Sequence, residues 1–136
     1  MPIIDANVAL AWSIRLPNSP AALSLLTQPG KLEAPDLLAH EVTNAVWVMI
    51  HRGLFAAERG RAICVDALSP VTLLNDDQTL AARALEIAVQ LDHPAYDCFY
   101  IAAAEAQDTV FITADRRLLA KLPGSSYADR VIELGR

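Results

Sequence analysis

The residues Pro2-Ile3-Ile4 form a short apolar run that ends in Asp5, and residues 6–14 then carry apolar side chains on every side of the segment. This pattern predicts a buried strand followed directly by a helix, which is the start of an α/β unit. Residues 109–113 repeat the pattern near the other end of the chain, where a β-branched run leads to Asp115. Two strands are therefore predicted to deliver an acid at or just beyond their carboxyl ends.

Short strands alternate with helices over the rest of the chain. Asp36 is placed to cap one helix, and Asn75 and Asp76 are placed to cap another. Strands are predicted over residues 2–4, 32–35, 71–74, 109–113 and 131–134, and helices over residues 6–14, 20–27, 37–52, 56–68, 79–91, 95–106 and 116–121. This alternation favours an α/β fold of three layers, in which a short, mostly parallel central sheet is flanked by helices.

One domain accounts for residues 1–136, because a single core accommodates roughly 100 to 200 residues. The composition is 54% hydrophobic and 20% charged, which excludes a disordered chain. No apolar run approaches the roughly 18 to 20 residues of a membrane span, and the N-terminus lacks a secretory pattern, so we expect a cytoplasmic protein without membrane association. Cys64 and Cys98 lack the close spacing of a metal or redox pair and are expected to be small core residues.

The formal net charge of −5 disfavours a module that only binds nucleic acid, because such modules are usually basic. An enzyme that holds a cation between carboxylates is also acidic, since the cation restores positive charge where a phosphate must approach. Net charge therefore leaves both classes open.

Four acids are candidates for such a site. Asp5 and Asp115 are expected at the same edge of the sheet, since sites in open α/β sheets form outside the carboxyl ends of strands. Each of them could instead only cap the helix that follows it. Glu41 lies beside Ala45 and Val48 on the margin of the apolar stripe of its helix, where a Glu either faces a site or reaches to water.

Asp97 lies in a helix that has almost no polar face. An ionised carboxylate there costs several kcal/mol unless it is paired, hydrogen-bonded or bound to a cation, and capping of the helix is the alternative. Four converging acids would repel one another strongly, and a divalent cation removes this conflict. Oxygen ligands suit Mg²⁺ or Mn²⁺, and Mg²⁺ keeps several waters, one of which can attack a phosphodiester.

These residues give the chain a resemblance, over its full length, to the PIN-domain ribonucleases, and in particular to the VapC-type toxins of bacterial toxin–antitoxin pairs. The motifs that carry the resemblance are Ile4-Asp5-Ala6-Asn7, Glu41-Val42-Thr43-Asn44-Ala45, Tyr96-Asp97-Cys98-Phe99-Tyr100-Ile101-Ala102 and Thr113-Ala114-Asp115. Their order and spacing together are specific, whereas any one of them alone would be a weak signal.

The resemblance implies a PIN-like fold and hydrolysis of RNA that depends on Mg²⁺ or Mn²⁺. It implies that the metal ligands and catalytic residues are Asp5, Glu41, Asp97 and Asp115. It also implies that Asn7 and Thr113 hydrogen-bond the acids or the substrate. The protein is expected, on the same ground, to be a homodimer that a small cognate antitoxin protein neutralises.

The segment after the last motif departs from part of the family. Some relatives carry a further acid there, whereas this chain has Arg116, Arg117 and Leu118. The two arginines, with Lys121, concentrate positive charge beside Asp115 and are suited to phosphate contacts with an RNA substrate. A solvated helix face is the alternative.

The three histidines, His40, His51 and His93, lack the pairwise placement of a zinc site, so we expect them to cap helices or to lie at the surface. His40, Asn44, Trp47 and His51 recur along one stripe of the long third helix. We expect another helix of the same chain to cover Trp47, with a second subunit or an antitoxin as the alternatives.

The competing functional class is a PIN-like module that keeps the fold but only binds RNA or a protein partner. A missing acid would favour that class. All four acids are present, so the sequence favours a nuclease.

Overall fold

Five short strands form a single sheet at the centre of the protein. A computed structural model describes all residues from Met1 to Arg136. The strands are β1 (Ile3–Ile4), β2 (Leu32–Pro35), β3 (Val71–Leu74), β4 (Phe111–Thr113) and β5 (Val131–Glu133), and their order across the sheet is β3-β2-β1-β4-β5. Every neighbouring pair is parallel, so the sheet that was predicted to be mostly parallel is wholly parallel.

Seven helices flank the sheet. They are α1 (Ala6–Ser13), α2 (Ser19–Leu26), α3 (Leu37–His51), α4 (Ala57–Leu68), α5 (Gln78–Leu91), α6 (Ala95–Ala106) and α7 (Arg116–Leu119). Every predicted helix and strand is present, with ends that differ by no more than two residues. The predicted α/β fold, a short central parallel sheet between helices, is confirmed.

Two predicted helix caps are wrong. Asp36 makes no capping hydrogen bond to α3, because its backbone is already helical, with φ −65° and ψ −14°. A capping residue needs a non-helical backbone for its side chain to reach back to the first turn. The helix α5 is capped by Asp77 rather than by Asn75 or Asp76: Asp77 is extended, and its Oδ1 accepts the N–H of Leu80 at 2.8 Å.

The strand order reverses direction beside β1. The chain first adds β2 and β3 on one side of β1, and it then crosses back to add β4 and β5 on the other side. Because crossovers between parallel strands are right-handed, the connections before and after this reversal lie on opposite faces of the sheet. A crevice forms at such a switch point, outside the carboxyl ends of the central strands. Asp5 follows β1 and Asp115 closely follows β4, so both acids lie at this crevice.

The helix α6 packs on the central strands with little polar surface. Tyr100 stacks on Phe111 of β4, with ring centroids 5.3 Å apart and an interplanar angle of 17°. Cys98 is buried in the same helix, and Cys64 of α4 is partly buried, so both free thiols belong to the packed interior as predicted. None of the seven helices combines the length and the apolarity that a bilayer crossing requires.

Trp47 lies on the outside of α3 and is 58% exposed. The prediction that another helix of the same chain covers it is therefore wrong. Its ring stacks on His51, one turn further along the same helix, with a centroid distance of 5.0 Å and an interplanar angle of 11°. The Trp47–His51 pair therefore presents a flat aromatic surface to solvent.

Candidate functional site

Asp5 and Asp115 are joined through one side chain, that of Thr113, at the ends of β1 and β4. Thr113 is fully buried, and its hydroxyl donates a hydrogen bond to Oδ2 of Asp5 at 2.5 Å. The same hydroxyl oxygen accepts the backbone N–H of Asp115 at 3.1 Å. Oδ1 of Asp5 accepts the N–H of Val8 at 3.1 Å. Both oxygens of Asp5 are held in place, and the two acids are fixed relative to each other.

Both of these acids also cap the helix that follows them. Asp5 caps α1 through Val8, and Oδ1 of Asp115 caps α7 by accepting the N–H groups of Arg117 at 2.9 Å and of Leu118 at 3.3 Å. The capping interpretation of the sequence is correct, but it does not compete with a functional one. Each cap uses Oδ1 alone, which leaves Oδ2 of Asp115 available to a ligand.

Glu41 is half-buried on α3 and faces α6. The hydroxyl of Tyr100 donates a hydrogen bond to its Oε1 across 59 residues of sequence. A buried tyrosine hydroxyl needs a partner, and Glu41 supplies one for Tyr100, which is fully buried. The contact ties Oε1 of Glu41 to α6, so this half-buried side chain is not left free in solvent.

Asp97 lies in the first turn of α6, where its partner is His93. Oδ2 of Asp97 is 2.6 Å from Nε2 of His93. The helix begins after Pro94 without any side-chain cap, so the alternative in which Asp97 only caps its helix is wrong. Ligand atoms of His93, Asp97 and Asp115 all lie within 4.8 Å of one another.

His93 corrects a second prediction. His40 and His51 are exposed as expected, but His93 is only 8% exposed and does not lie at the surface. Its side chain does not cap a helix either, because its one hydrogen bond goes to Asp97. The reason is the turn before it, in which Asp92 adopts a left-handed backbone with φ 51° and ψ 53°. This turn is set by the end of α5, and the identity of the residues alone does not reveal it.

Burial and mutual repulsion raise the pKa values of three of the acids. Burial raises the pKa of Asp5 to about 7, two hydrogen bonds oppose this, and the charges of Asp97 and Glu41 add to it. Burial also raises the pKa of Glu41 against the hydrogen bond from Tyr100. Burial raises the pKa of Asp97, and the charge of Asp115 adds to the effect. The charge of Asp97 therefore acts on Asp5 and on Glu41, and the charge of Asp115 acts on Asp97.

A cavity of about 440 Å³ opens beside Asp97 and Asp115. Arg117 and Lys121 also line it, so positive side chains border the acids on this side. Arg116 is exposed on the same short helix but does not line the cavity. The predicted concentration of positive charge is thus divided between the cavity wall and the open surface.

Of the two residues predicted to hydrogen-bond the acids or the substrate, only Thr113 contacts an acid. Asn7 is exposed in the first turn of α1, two residues beyond Asp5, and its side chain makes no hydrogen bond to the carboxylates. Its side chain is free to reach a bound molecule.

The sequence analysis did not predict that Tyr100 and His93 hydrogen-bond two of the acids. Tyr100 counted only as an apolar residue, although a tyrosine in a buried helix signals a hydroxyl that needs a partner. His93 lies four residues before Asp97, which is the spacing of neighbours on a helix. This signal is weak because the helix begins only after His93. The hydrogen bonds of Tyr100 to Glu41 and of His93 to Asp97 are visible only in the three-dimensional structure.

The arrangement has the chemistry of a divalent cation site. Asp97 and Asp115 offer ligand atoms within 4.8 Å of each other, and the charge of Asp97 acts on Asp5 and on Glu41. Three of these four acids have pKa values raised by burial and by like charge. A cation among them would favour the ionised forms and offset the repulsion. Oxygen donors in this number fit Mg²⁺ or Mn²⁺. The residues present therefore fit the metal that the sequence predicted.

Known proteins show the same fold. A model of the PIN domain family matches residues 3–124. A curated relative, the ribonuclease VapC3 of Pyrobaculum aerophilum, is 27% identical over 123 residues, which cover 89% of this chain and 94% of the relative. Among solved structures, that of PAE2754 from Pyrobaculum aerophilum matches with a TM-score of 0.72 at 24% identity, covering 97% of this chain and 82% of the other.

Two further solved structures are similar, a toxin–antitoxin complex and a toxin. A toxin–antitoxin complex from Klebsiella pneumoniae matches with a TM-score of 0.67 at 21% identity, covering 97% of this chain and 96% of the other. VapC20 of Mycobacterium tuberculosis, described as a toxin that cleaves the sarcin-ricin loop, matches with a TM-score of 0.68 at 15% identity, covering 88% and 94%. At such identities these structures support the fold.

Proposed function

The chain belongs to the PIN domain family, and we propose that it is an endoribonuclease that depends on Mg²⁺ or Mn²⁺ and hydrolyses RNA phosphodiester bonds. The observation that carries the proposal is the convergence of Asp5, Glu41, Asp97 and Asp115 at the switch point of the sheet. The similarity to a ribonuclease supports RNA as the substrate.

The four acids are the residues that would hold the cation. Asp5 is the most deeply buried of them and is anchored by Thr113, whereas Glu41 is anchored by Tyr100. When bound, the cation supplies activation of a water molecule for attack on phosphorus and offsets negative charge on the phosphate. The hydrogen bonds at the site pair no serine, threonine or cysteine with a histidine, since the one such bond of His93 goes to Asp97 and the Thr113 hydroxyl donates to Asp5.

The residues around the acids are suited to the phosphates of the substrate. We assign phosphate contacts to Arg117 in the cavity wall and to Arg116 beside it, because arginine pairs well with phosphate oxygens. Asn7 is exposed next to Asp5 and is assigned a hydrogen bond to the substrate. Thr113 is fully buried, so its contribution to substrate binding is the position that it gives Asp5.

Protein partners are part of the proposal. We infer that a small cognate antitoxin covers the aromatic surface of Trp47 and His51, because exposed tryptophans are enriched in interfaces and a structural relative is a toxin–antitoxin complex.

We further infer that the protein is a homodimer. Leu85 and Val89 support it, since they lie one turn apart on α5 and are 60% and 73% exposed.

Cleavage of total cellular RNA tests the proposed activity. We expect cleavage with Mg²⁺ or Mn²⁺, none in EDTA, and none by D5A under any condition. The matched control is D66N, which neutralises an exposed acid of α4 outside the site and should leave cleavage unchanged. Binding of RNA without cleavage in the presence of either metal would instead support a PIN-like binding module.

A further inference from the structure

The imidazole of His93 contacts the candidate site, although His93 is not one of the four acids. We propose that His93 is a positioning residue, which orients the carboxylate of Asp97 for a divalent cation by donating a hydrogen bond to it. The inference rests on the proposed function, because it assigns a role toward the same cation. It adds a residue that neither the fold nor the four acids require.

The contact between the two side chains is close and shielded from water. Nε2 of His93 lies 2.6 Å from Oδ2 of Asp97, and the His93 side chain is only 4% exposed. With Oδ2 accepting from His93, Oδ1 of Asp97 is left to face a ligand. The negative charge of Asp115 disfavours the ionised form of Asp97, and the hydrogen bond from His93 favours it.

The backbone fixes where the ring can go. Asp92 turns the chain in a left-handed conformation, and the N–H of His93 then donates to the carbonyl of Ala88 at 3.1 Å. Pro94 follows with φ −53°, which limits the next rotation. Nζ of Lys121 donates to the carbonyl of Asp92 and ties the turn to the segment after α7. The imidazole is therefore held in place before any ligand arrives.

The second ring nitrogen of His93, Nδ1, indicates that the histidine is not explained by packing in the core. Nδ1 of His93 is buried and has no hydrogen-bond partner. A buried polar atom without a partner costs stability, and an apolar side chain of similar size would avoid that cost. The only polar contact that the ring gains is the one to Asp97. A histidine at this position is thus explained by what it does to the carboxylate.

Positioning is a different role from direct ligation. An Nε2–H that points at Asp97 has no lone pair to offer a cation, and Nδ1 is directed into the interior. In metal sites, partners that hydrogen-bond a ligand orient it and tune its affinity. His93 stands in this relation to Asp97.

Binding of Mn²⁺, followed by electron paramagnetic resonance in the absence of RNA, tests the inference without any activity measurement. We compare the unmodified protein with H93L, which removes the donor at similar volume, and with H93Q, whose amide nitrogen can occupy the place of Nε2. We expect H93L to bind Mn²⁺ roughly 10- to 100-fold more weakly. H93Q should retain most of the affinity. H93N, which is polar but too short to reach Asp97, should resemble H93L.

Each outcome has a distinct meaning. Equal Mn²⁺ affinity in H93L, H93N and the unmodified protein would overturn the inference and leave the proposed function intact. Failure of the unmodified protein to bind Mn²⁺ at millimolar concentration would overturn both. A directly coordinated imidazole nitrogen in the spin-echo spectrum of bound Mn²⁺ would replace positioning by ligation. Thermal melts in EDTA establish that each variant is folded, and H93Q and H93N still form a matched pair if H93L is not.

Discussion

The hydroxyl of Thr113 lies 2.5 Å from Oδ2 of Asp5 and donates a hydrogen bond to it, although 108 residues separate the two in sequence. The bond joins the ends of the two central strands at the point where the sheet reverses direction. The same hydroxyl accepts the N–H of Asp115. One buried side chain therefore sets the distance between the first and the last acid of the site.

Removal of this hydroxyl should raise the pKa of Asp5. The hydrogen bond from Thr113 lowers the pKa of Asp5, which burial has raised to about 7, and a bond to a charged group contributes about 1.5 to 3 kcal/mol. We expect T113V to move the titration of Asp5 to higher pH, while T113S leaves it in place. A carboxyl-carbon NMR titration measures this. Identical titrations in T113V and T113S would show that the hydroxyl does not control Asp5.

The metal-free protein should lose stability as pH rises through the neutral range. The pKa of Asp5 is about 7 in the folded state against 3.8 for the free side chain, so the folded state holds the proton more tightly. This contribution to the free energy of unfolding is fully present below about pH 4 and is lost as pH rises through about 7, with an upper limit on the order of 4 kcal/mol.

Urea denaturation in EDTA at pH 5.5, 6.5 and 8 measures the pH effect. We expect the free energy of unfolding to fall across this series, and D5N to show a flatter dependence because it has no proton to lose at this site. The affinity for Mg²⁺ should rise over the same pH interval, since ligation needs the ionised acid. Parallel pH dependences for D5N and the unmodified protein would contradict the assignment to Asp5.

Neutralising Asp97 should have opposite effects with and without metal. D97N removes one of several like charges while keeping the shape of the side chain, so its melting temperature in EDTA should equal or exceed that of the unmodified protein. With millimolar Mg²⁺ the order should reverse, because a protein that lacks a ligand gains less from the same metal concentration. Mg²⁺ that shifts neither melt would remove the support for a metal site at Asp97.

Arg117 should contribute more to RNA binding than Arg116. Both arginines are exposed, but only Arg117 lines the cavity beside Asp97. For single-stranded RNA bound to the inactive D5N protein, R117A should weaken binding and reduce the slope of log affinity against log salt by roughly 0.7. R116A should have a smaller effect. R61A, which removes an exposed charge on α4, is the control, and an equal loss in all three would mean that only net charge matters.

Local patterns in the sequence are sufficient to predict the elements of this fold, but they do not predict the order of the strands. An apolar run before Asp5 and a β-branched run before Asp115 specify a strand and a following helix, since both signals lie within a few residues. The pairing of β1 with β4, through residues such as Ile3 and Phe111, depends on contacts between distant segments. The reversal beside β1, and with it the location of the crevice, therefore emerges only from the three-dimensional structure.

The places of the four acids on their helices and strands were predictable from the sequence, and their role as metal ligands stays a prediction. The residues that hydrogen-bond these acids were less predictable. Tyr100 and His93 each bond an acid, but one is hidden in an apolar helix and the other follows a left-handed residue that the sequence does not announce. Trp47 was expected to be covered by another helix but is exposed. Helical periodicity defines the stripe on which it lies but does not indicate whether another helix covers that stripe. Whether a side chain is covered depends on tertiary packing, which periodicity does not encode.

The products of RNA cleavage test the central claim most directly. A defined single-stranded RNA is cleaved with Mg²⁺ in water enriched in ¹⁸O, and the ends of the products are analysed by mass spectrometry. Attack by water on phosphorus places one ¹⁸O atom in a linear terminal phosphate and forms no cyclic phosphate, and the reaction should stop in EDTA and in D5A. A 2′,3′-cyclic phosphate that forms equally well in EDTA would mean that the ribose hydroxyl is the nucleophile, and it would contradict metal-dependent hydrolysis by the four acids.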